Sequence, residues 1–161
     1  MTYHPLTEKI QTILKENNMW FKTYEHEPVR TSEEAASLRP EYNLSQGTKA
    51  MIIRVKNPNK KRFVMLVIPG DKKFDGRKVK DLVLSNNIRF AFPEELRSLT
   101  DGIEPGGVAP FGNLFNIEVI ADDAIFYNEI IIFNAGDKSF SIAMKSADYK
   151  KLVNPRVVSI T

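Results

Sequence analysis

Apolar positions in the first third of the chain fall at helical spacing. Leu6, Ile10, Ile13 and Leu14 recur behind Pro5, a residue suited to a first helical turn, and Asn17-Asn18 supply a stop. The run WFKTYEH (Trp20 to His26) reads as a strand. In TSEEAASL (Thr31 to Leu38), Thr31 and Glu34 have capping-box spacing and the alanines favour the helix that follows. Two β-type runs, AMIIRV and RFVMLVI, flank the turn NPNKK and predict a hairpin. Val79, Leu82 and Val83 share a helical face. IRFAF is a short strand, and PEELRSL a short helix begun by Pro93. Further along, NIEVI, the run 129–133, SFSIAM and RVVSI read as strands. SADYKKLV is a final helix with a serine at its cap position.

Antiparallel hairpins mixed with helices, without regular βαβ alternation, predict an α+β fold around a mixed, strongly curved, barrel-like sheet with surrounding helices. Repeats, low-complexity tracts and linkers are lacking, so residues 1–161 are expected to form one domain.

Composition narrows the chemistry. The chain has 161 residues, 42% of them hydrophobic and 27% charged, the balance of an ordinary globular protein. It contains no cysteine, which excludes disulfides, thiolate metal sites and cysteine nucleophiles, and fits a reducing cytoplasm. The start MTYHPLTEKIQ lacks a secretory pattern, and no run nears the roughly 18 apolar residues of a membrane span. A cytoplasmic protein with no membrane or DNA partner is expected. The formal net charge is +3, with basic residues clustered in NPNKKR, DKKFDGRKVK and MKSADYKKLVNPR. Such clusters suit solvated turns as well as a polyanion surface.

The familiar catalytic kits are missing. The two histidines, His4 and His26, stand in neither HxxxH nor HExxH spacing, so no metal or other cofactor is expected. His26 at a strand end reads as a hydrogen-bonded structural residue. There is no GxSxG elbow, Walker loop or GxGxxG, and the neighbours Asp122-Asp123 and Glu33-Glu34 do not face each other on a helix or strand.

Three other features can carry chemistry. The stretch IEPGGVAPFGN (Ile103 to Asn113) concentrates three glycines and two prolines. Either it is a tight turn, or Gly106 and Gly107 bring bare backbone N–H groups to an oxyanion while the prolines hold them aimed. Lys49 directly precedes the apolar strand AMIIRV, where an inward lysine needs an anionic partner and an outward one is ordinary edge decoration. In FNAGDKS, residues Asn134, Gly136 and Ser139 fall in a turn that is either a plain hairpin or a ligand contact.

In order, HEPVRTSEEAA, GTKAMIIRV, FVMLVIPGDKKFDGRKVKDLV, RFAFPEELRSLTDGIEPGGVAPFG and IIFNAGDKSFSIAMKSADYKKLV resemble one family from about Phe21 to Val153. That family is the YbaK and prolyl-tRNA-synthetase-associated editing domains, the freestanding aminoacyl-tRNA deacylases. The resemblance implies hydrolysis of the ester joining a wrong, small amino acid (alanine, cysteine or serine) to the 3′-terminal adenosine of a tRNA, most often that for proline. It implies that Lys49 engages the terminal nucleotide and that the loop of Gly106, Gly107 and Pro110 lines the aminoacyl pocket. On this basis Lys49, Gly106 and Gly107 are the expected catalytic residues. Thr31, Val108, Pro110, Asn134, Gly136 and Ser139 are the expected substrate contacts.

Two positions depart from the family pattern. Asn134-Ala135 stands where some members have His-Pro, and Asp101-Gly102 where many have Thr-Gly or Ser-Gly. Both bear on which amino acid is removed. The implied partners are the 3′ acceptor end of an aminoacylated tRNA and prolyl-tRNA synthetase. The alternatives to a deacylase are a non-catalytic module that binds tRNA ends or an aminoacyl ligand, and a docking partner of that synthetase.

Overall fold

The computed structural model describes residues 2–28 and 31–161. Helix α1 (Pro5–Glu16) opens with Pro5 in its first turn, and the His4 side chain accepts the Leu6 N–H; Leu6, Ile10 and Leu14 are buried. Strand β1 (Phe21–Glu25) leads to α2 (Ser32–Leu38), where the Thr31 hydroxyl accepts the Glu34 N–H at 3.0 Å. Strands β2 (Thr48–Asn57) and β3 (Lys60–Pro69) form the predicted hairpin, paired from Thr48↔Pro69 to Asn57↔Lys60.

Helix α3 (Gly76–Val83) is capped by Asp75, and is followed by β4 (Asn87–Phe90) and α4 (Pro93–Thr100). Beyond the glycine loop come β5 (Glu118–Asp122), β6 (Ile130–Asp137), β7 (Phe140–Lys145), α5 (Ser146–Val153) and β8 (Arg156–Val158). Among the described residues no helix is long and apolar enough to cross a membrane.

The α+β class and the mixed sheet are found, but the barrel is not. The strands form two open sheets, β1-β7-β6 and β4-β2-β3-β5-β8. The first is antiparallel. The second is antiparallel from β4 through β3 and parallel from β3 through β5 to β8. Closure would need β6 to continue its pairing along β2. Instead, among the described residues, an isolated bridge, Gly47↔Ile132, is what joins the two sheets at one corner, and the β6 register breaks between Asn134 and Asp137.

Period-2 alternation explains how the five-stranded sheet is covered. Ile52, Met65, Val67, Val119 and Ala121 face Ile131, Phe133, Ile142 and Met144 of the other sheet, together with α1 and α5. Ile53, Val55, Val64, Leu66 and Ile68 point the other way, against Val79 and Val83 of α3 and against Ile160. The C-terminus is tied down by Asp122, which is fully buried. Its carboxylate accepts the N–H groups of Ala124, Ile160 and Thr161 and the Thr161 hydroxyl. One cap departs from expectation: Ser146 starts α5 but donates its hydroxyl to the Asn128 carbonyl at 2.6 Å, and no side chain caps that helix.

Candidate functional site

The corner where the sheets meet is also where the candidate residues converge. A cleft of roughly 260 Å³ lies between the start of α2 (Thr31, Ser32, Ala35), the start of β2 (Gly47 to Met51), the glycine loop (Gly106, Val108) and β6 (Ile132 to Asn134). Of the expected residues, Thr31, Lys49, Gly106, Val108 and Asn134 line it. Lys49 is half-buried, paired across the hairpin with Ile68, and its ammonium has no partner among the described residues. Neither aspartate nor glutamate appears among the lining residues, so the cleft is a positively biased space with walls of mixed polar and apolar character.

The other four expected residues are placed elsewhere. Gly107 is buried and donates its N–H to the Glu104 carbonyl at 3.0 Å, closing a turn, so that N–H is not free for a ligand. Its carbonyl accepts the Gly136 N–H at 2.8 Å. A Cβ on Gly107 would sit 3.3 Å from the backbone of Gly136 and Asp137, so glycine is needed there for close approach to β6. Gly107, Gly136 and Ser139 line a different depression, beside Tyr3 and His4. Ser139 closes the β6–β7 turn, donating its N–H to the Asp137 carboxylate and accepting the His26 N–H at its carbonyl. Pro110 is buried, with its carbonyl accepting the Tyr149 hydroxyl at 2.6 Å. Its contribution is to anchor the loop to α5.

A hydrogen-bonded chain runs beneath the cleft. Asn134 Nδ2 donates to the Gly106 carbonyl at 2.8 Å, and Asn134 Oδ1 accepts from the Ser141 hydroxyl at 3.2 Å. Ser141 is itself in contact with His26 Nε2 at 2.7 Å and accepts from Arg39 Nη1 at 3.1 Å. His26 is thus tied to the residues beneath the cleft through Ser141, with its Nδ1 in contact with the Glu27 carbonyl. Gly106 has φ +88°, and its N–H and that of Val108 have no acceptor among the described residues.

Sequence reasoning missed Arg39 and Ser141. Arg39 stands four residues after the buried Ala35, and that i,i+4 spacing puts it on the core-facing side of α2. A charge at that phase was the available signal. Ser141 gave none, because every residue from Phe140 to Met144 is buried and alternation carries no information there.

Other cavities fit the chemistry less well. A larger depression of about 680 Å³ between Lys56, Pro58, Lys80 and Asn87 is open and polar and contains none of the expected residues. Among the described residues there is no group of three His, Cys, Asp or Glu side chains placed to hold a metal ion.

Comparison with known proteins gives this geometry a context. Residues 26–152 match the family model of the aminoacyl-tRNA editing domain. Over 153 residues the chain is 27% identical to the multifunctional Ser/Thr-tRNA deacylase ProXp-y of Escherichia coli (strain K12), covering 94% of this chain and 90% of that protein. It is 37% identical over 101 residues to the proline–tRNA ligase of Bacillus licheniformis, which spans 62% of this chain but only 17% of the ligase. Two solved structures share the fold, each at a TM-score of 0.81. The hypothetical protein APE2540 is 23% identical and is covered to 98%, against 94% of this chain. A candidate trans-editing enzyme for prolyl-tRNA synthetase is 21% identical, with 99% of each chain covered.

Proposed function

The chain belongs to the aminoacyl-tRNA editing domain family and is an aminoacyl-tRNA deacylase, and from that premise we propose that it clears a small amino acid from mischarged tRNA, with tRNA for proline as the preferred carrier. The observation that carries the reading is the cleft itself: Lys49 and the Gly106–Val108 wall share one space that no carboxylate lines. That space is smaller than the roughly 300–1,000 Å³ of drug-sized ligand sites, which suits an aminoacyl group of few atoms. Alanine, cysteine and serine are the proposed residues. The name of the Escherichia coli relative supports serine and adds threonine, while the similarity to a segment of proline–tRNA ligase supports the choice of tRNA.

An aminoacyl ester is already activated, so positioning and electrostatics suffice where no triad exists. Lys49 anchors a phosphate of the terminal nucleotide as a point charge and fixes where the ester lies. The unengaged N–H groups of Gly106 and Val108 are the proposed donors to the ester carbonyl, in place of the Gly107 N–H that the turn consumes. Thr31 and Asn134 border the same space.

The test is a panel of aminoacylated tRNAs incubated with wild type and with Lys49→Ala. Hydrolysis of one or more small-residue esters, reduced at least a hundredfold in the variant, is the expected result. Bound tRNA without turnover of any ester would point to a binding module, and association only through prolyl-tRNA synthetase to a docking partner.

A further inference from the structure

Arg39 is the most deeply buried cation of the cleft wall, with only 5% of its surface exposed. Its Nε donates to the Ala35 carbonyl at 3.1 Å and its Nη1 to the Ser141 hydroxyl at 3.1 Å. The remaining amino group, Nη2, has no acceptor among the described residues. It lies 3.9 Å from where a Cβ on Gly47 would sit, beside another wall of the same cleft.

Among the described residues no carboxylate acts on this guanidinium directly; Glu41 reaches the Tyr24 phenol beside it. The groups that act on it electrostatically are the phenols of Tyr24 and Tyr42, whose oxygens are 2.7 Å apart. Burial drives the Tyr24 phenol above its ordinary value, so it carries no charge at neutral pH. Among the described residues the ion pairs are Arg62–Glu118, Arg89–Glu95 and Arg97–Glu104, and none involves Arg39. Burial pushes the Arg39 guanidinium below its ordinary value, yet an arginine cannot shed its proton as a buried lysine can.

A buried cation is normally matched by a carboxylate, because desolvating it alone is costly. Among the described residues that match is left unmade, at the edge of a cleft whose substrate develops negative charge. We propose that the missing counter-charge comes from the substrate: Arg39 Nη2 holds the oxyanion that forms on the ester carbonyl during hydrolysis. In that step water adds to the carbonyl carbon and the C=O electron pair moves onto oxygen. The tetrahedral anion then collapses, expelling the ribose hydroxyl oxygen, which takes up the proton that water gives up. Arg39 supplies charge and the Gly106–Val108 backbone supplies dipoles, from different walls of one cleft. The inference rests on the deacylase reading and deepens it.

Three variants test it on whichever aminoacyl-tRNA the wild type hydrolyses: Arg39→Met, Arg39→Lys and Ser141→Ala, each followed by single-turnover kinetics and thermal unfolding. In Arg39→Met the rate is expected to fall about a hundredfold or more, as when an oxyanion donor is removed. Its half-saturating enzyme concentration should stay unchanged and its Tm should be no lower than wild type, because an unmatched buried charge has been taken away. Arg39→Lys should retain more rate than Arg39→Met. Ser141→Ala, which cuts one Arg39 tie and also frees the Asn134 amide but keeps the charge, should lose less rate than Arg39→Met. A near-normal rate in Arg39→Met overturns the proposal. So does a rise in half-saturating concentration at unchanged rate, the signature of a phosphate contact. Rate losses in Arg39→Met and Ser141→Ala that match each other and track a lowered Tm also overturn it, since Arg39 is then a structural tie. A wild type that hydrolyses no ester overturns the deacylase reading and this inference together; a wild type that hydrolyses alongside an equally active Arg39→Met overturns this inference alone.

Discussion

Asn134 holds the Gly106 carbonyl at 2.8 Å, and this hydrogen bond ties the last regular residues of β6 to the glycine loop across the mouth of the cleft. Gly106 has no side chain with which to fix its own position, so the orientation of its peptide depends on what Asn134 grips. The Asn134 amide is itself oriented by the Ser141 hydroxyl on its other side. At Gly106 the loop is therefore positioned from below by strand residues, in addition to the Gly107–Glu104 turn of its own.

Asn134→Ala removes that grip while leaving the cleft walls in place. Catalytic geometry is sensitive to displacements of about 1 Å, which can cost on the order of a hundredfold in rate. The single-turnover rate of Asn134→Ala is expected to fall roughly ten- to a hundredfold. Asn134→Asp should fall further, because its carboxylate would face the Gly106 carbonyl without a donor. A half-buried side chain gives the change little leverage on stability, so Tm should move by no more than a few degrees. Wild-type rates in both variants would show that the loop holds its course unaided.

The two neighbouring glycines should answer differently to substitution. A Cβ at Gly107 would press on the backbone of Gly136 and Asp137 at 3.3 Å, where nothing flexible can give way. Gly107→Ala is therefore an overpacking change worth about 1–3 kcal/mol, or several degrees in Tm for a chain of this size. At Gly106 the new Cβ would meet only the aliphatic stem of Lys138 at 3.5 Å, and the obstacle is the backbone φ of +88°. Asparagine visits positive φ readily and β-branched residues do not. The expected order of thermal stability is wild type, then Gly106→Asn, then Gly106→Val. Equal unfolding temperatures for Gly106→Asn and Gly106→Val would contradict this account of the loop.

How far the sequence could be read follows from the range of the forces involved. The hairpin of β2 and β3 was legible because two β-type runs flank a short turn close by in the chain. The helices α1 and α4 were legible because Pro5 and Pro93 mark their starts. The convergence of Lys49, Gly106 and Asn134 on one cleft was expected only through a resemblance, since β2, the loop and β6 are far apart along the chain. The sheets were expected to close and did not, because pairing between β2 and β6 stops at the Gly47↔Ile132 bridge, a tertiary fact with no local signature. Gly107, Pro110, Gly136 and Ser139 carry backbone specialisation that looks functional in composition. In three dimensions they supply a turn, a carbonyl for Tyr149, a register break and a hairpin closure.

Away from the cleft, the junction of β4 with α4 should set part of the acid limb of stability. Arg89 donates to both oxygens of Glu95, at 2.7 and 3.2 Å, while its guanidinium stacks 3.8 Å from the centre of the Phe92 ring. The Phe92 N–H adds a third hydrogen bond to the same carboxylate at 2.8 Å, closing the start of α4. These donors, the Arg89 guanidinium first among them, hold the Glu95 carboxyl down at about 2 from its ordinary 4.5. A carboxyl depressed in the folded state contributes stability that is complete above its unfolded value and is lost as pH falls through the folded one. The window is thus from about pH 4.5 down to about pH 2. The pair is partly solvated, so its contribution is that of a screened surface bridge rather than a buried one. Glu95→Gln should unfold at a lower temperature than wild type at pH 7, and the two melting curves should draw together as pH is lowered across that window. A constant difference between them from pH 7 to pH 2 would mean that Glu95 acts by packing alone.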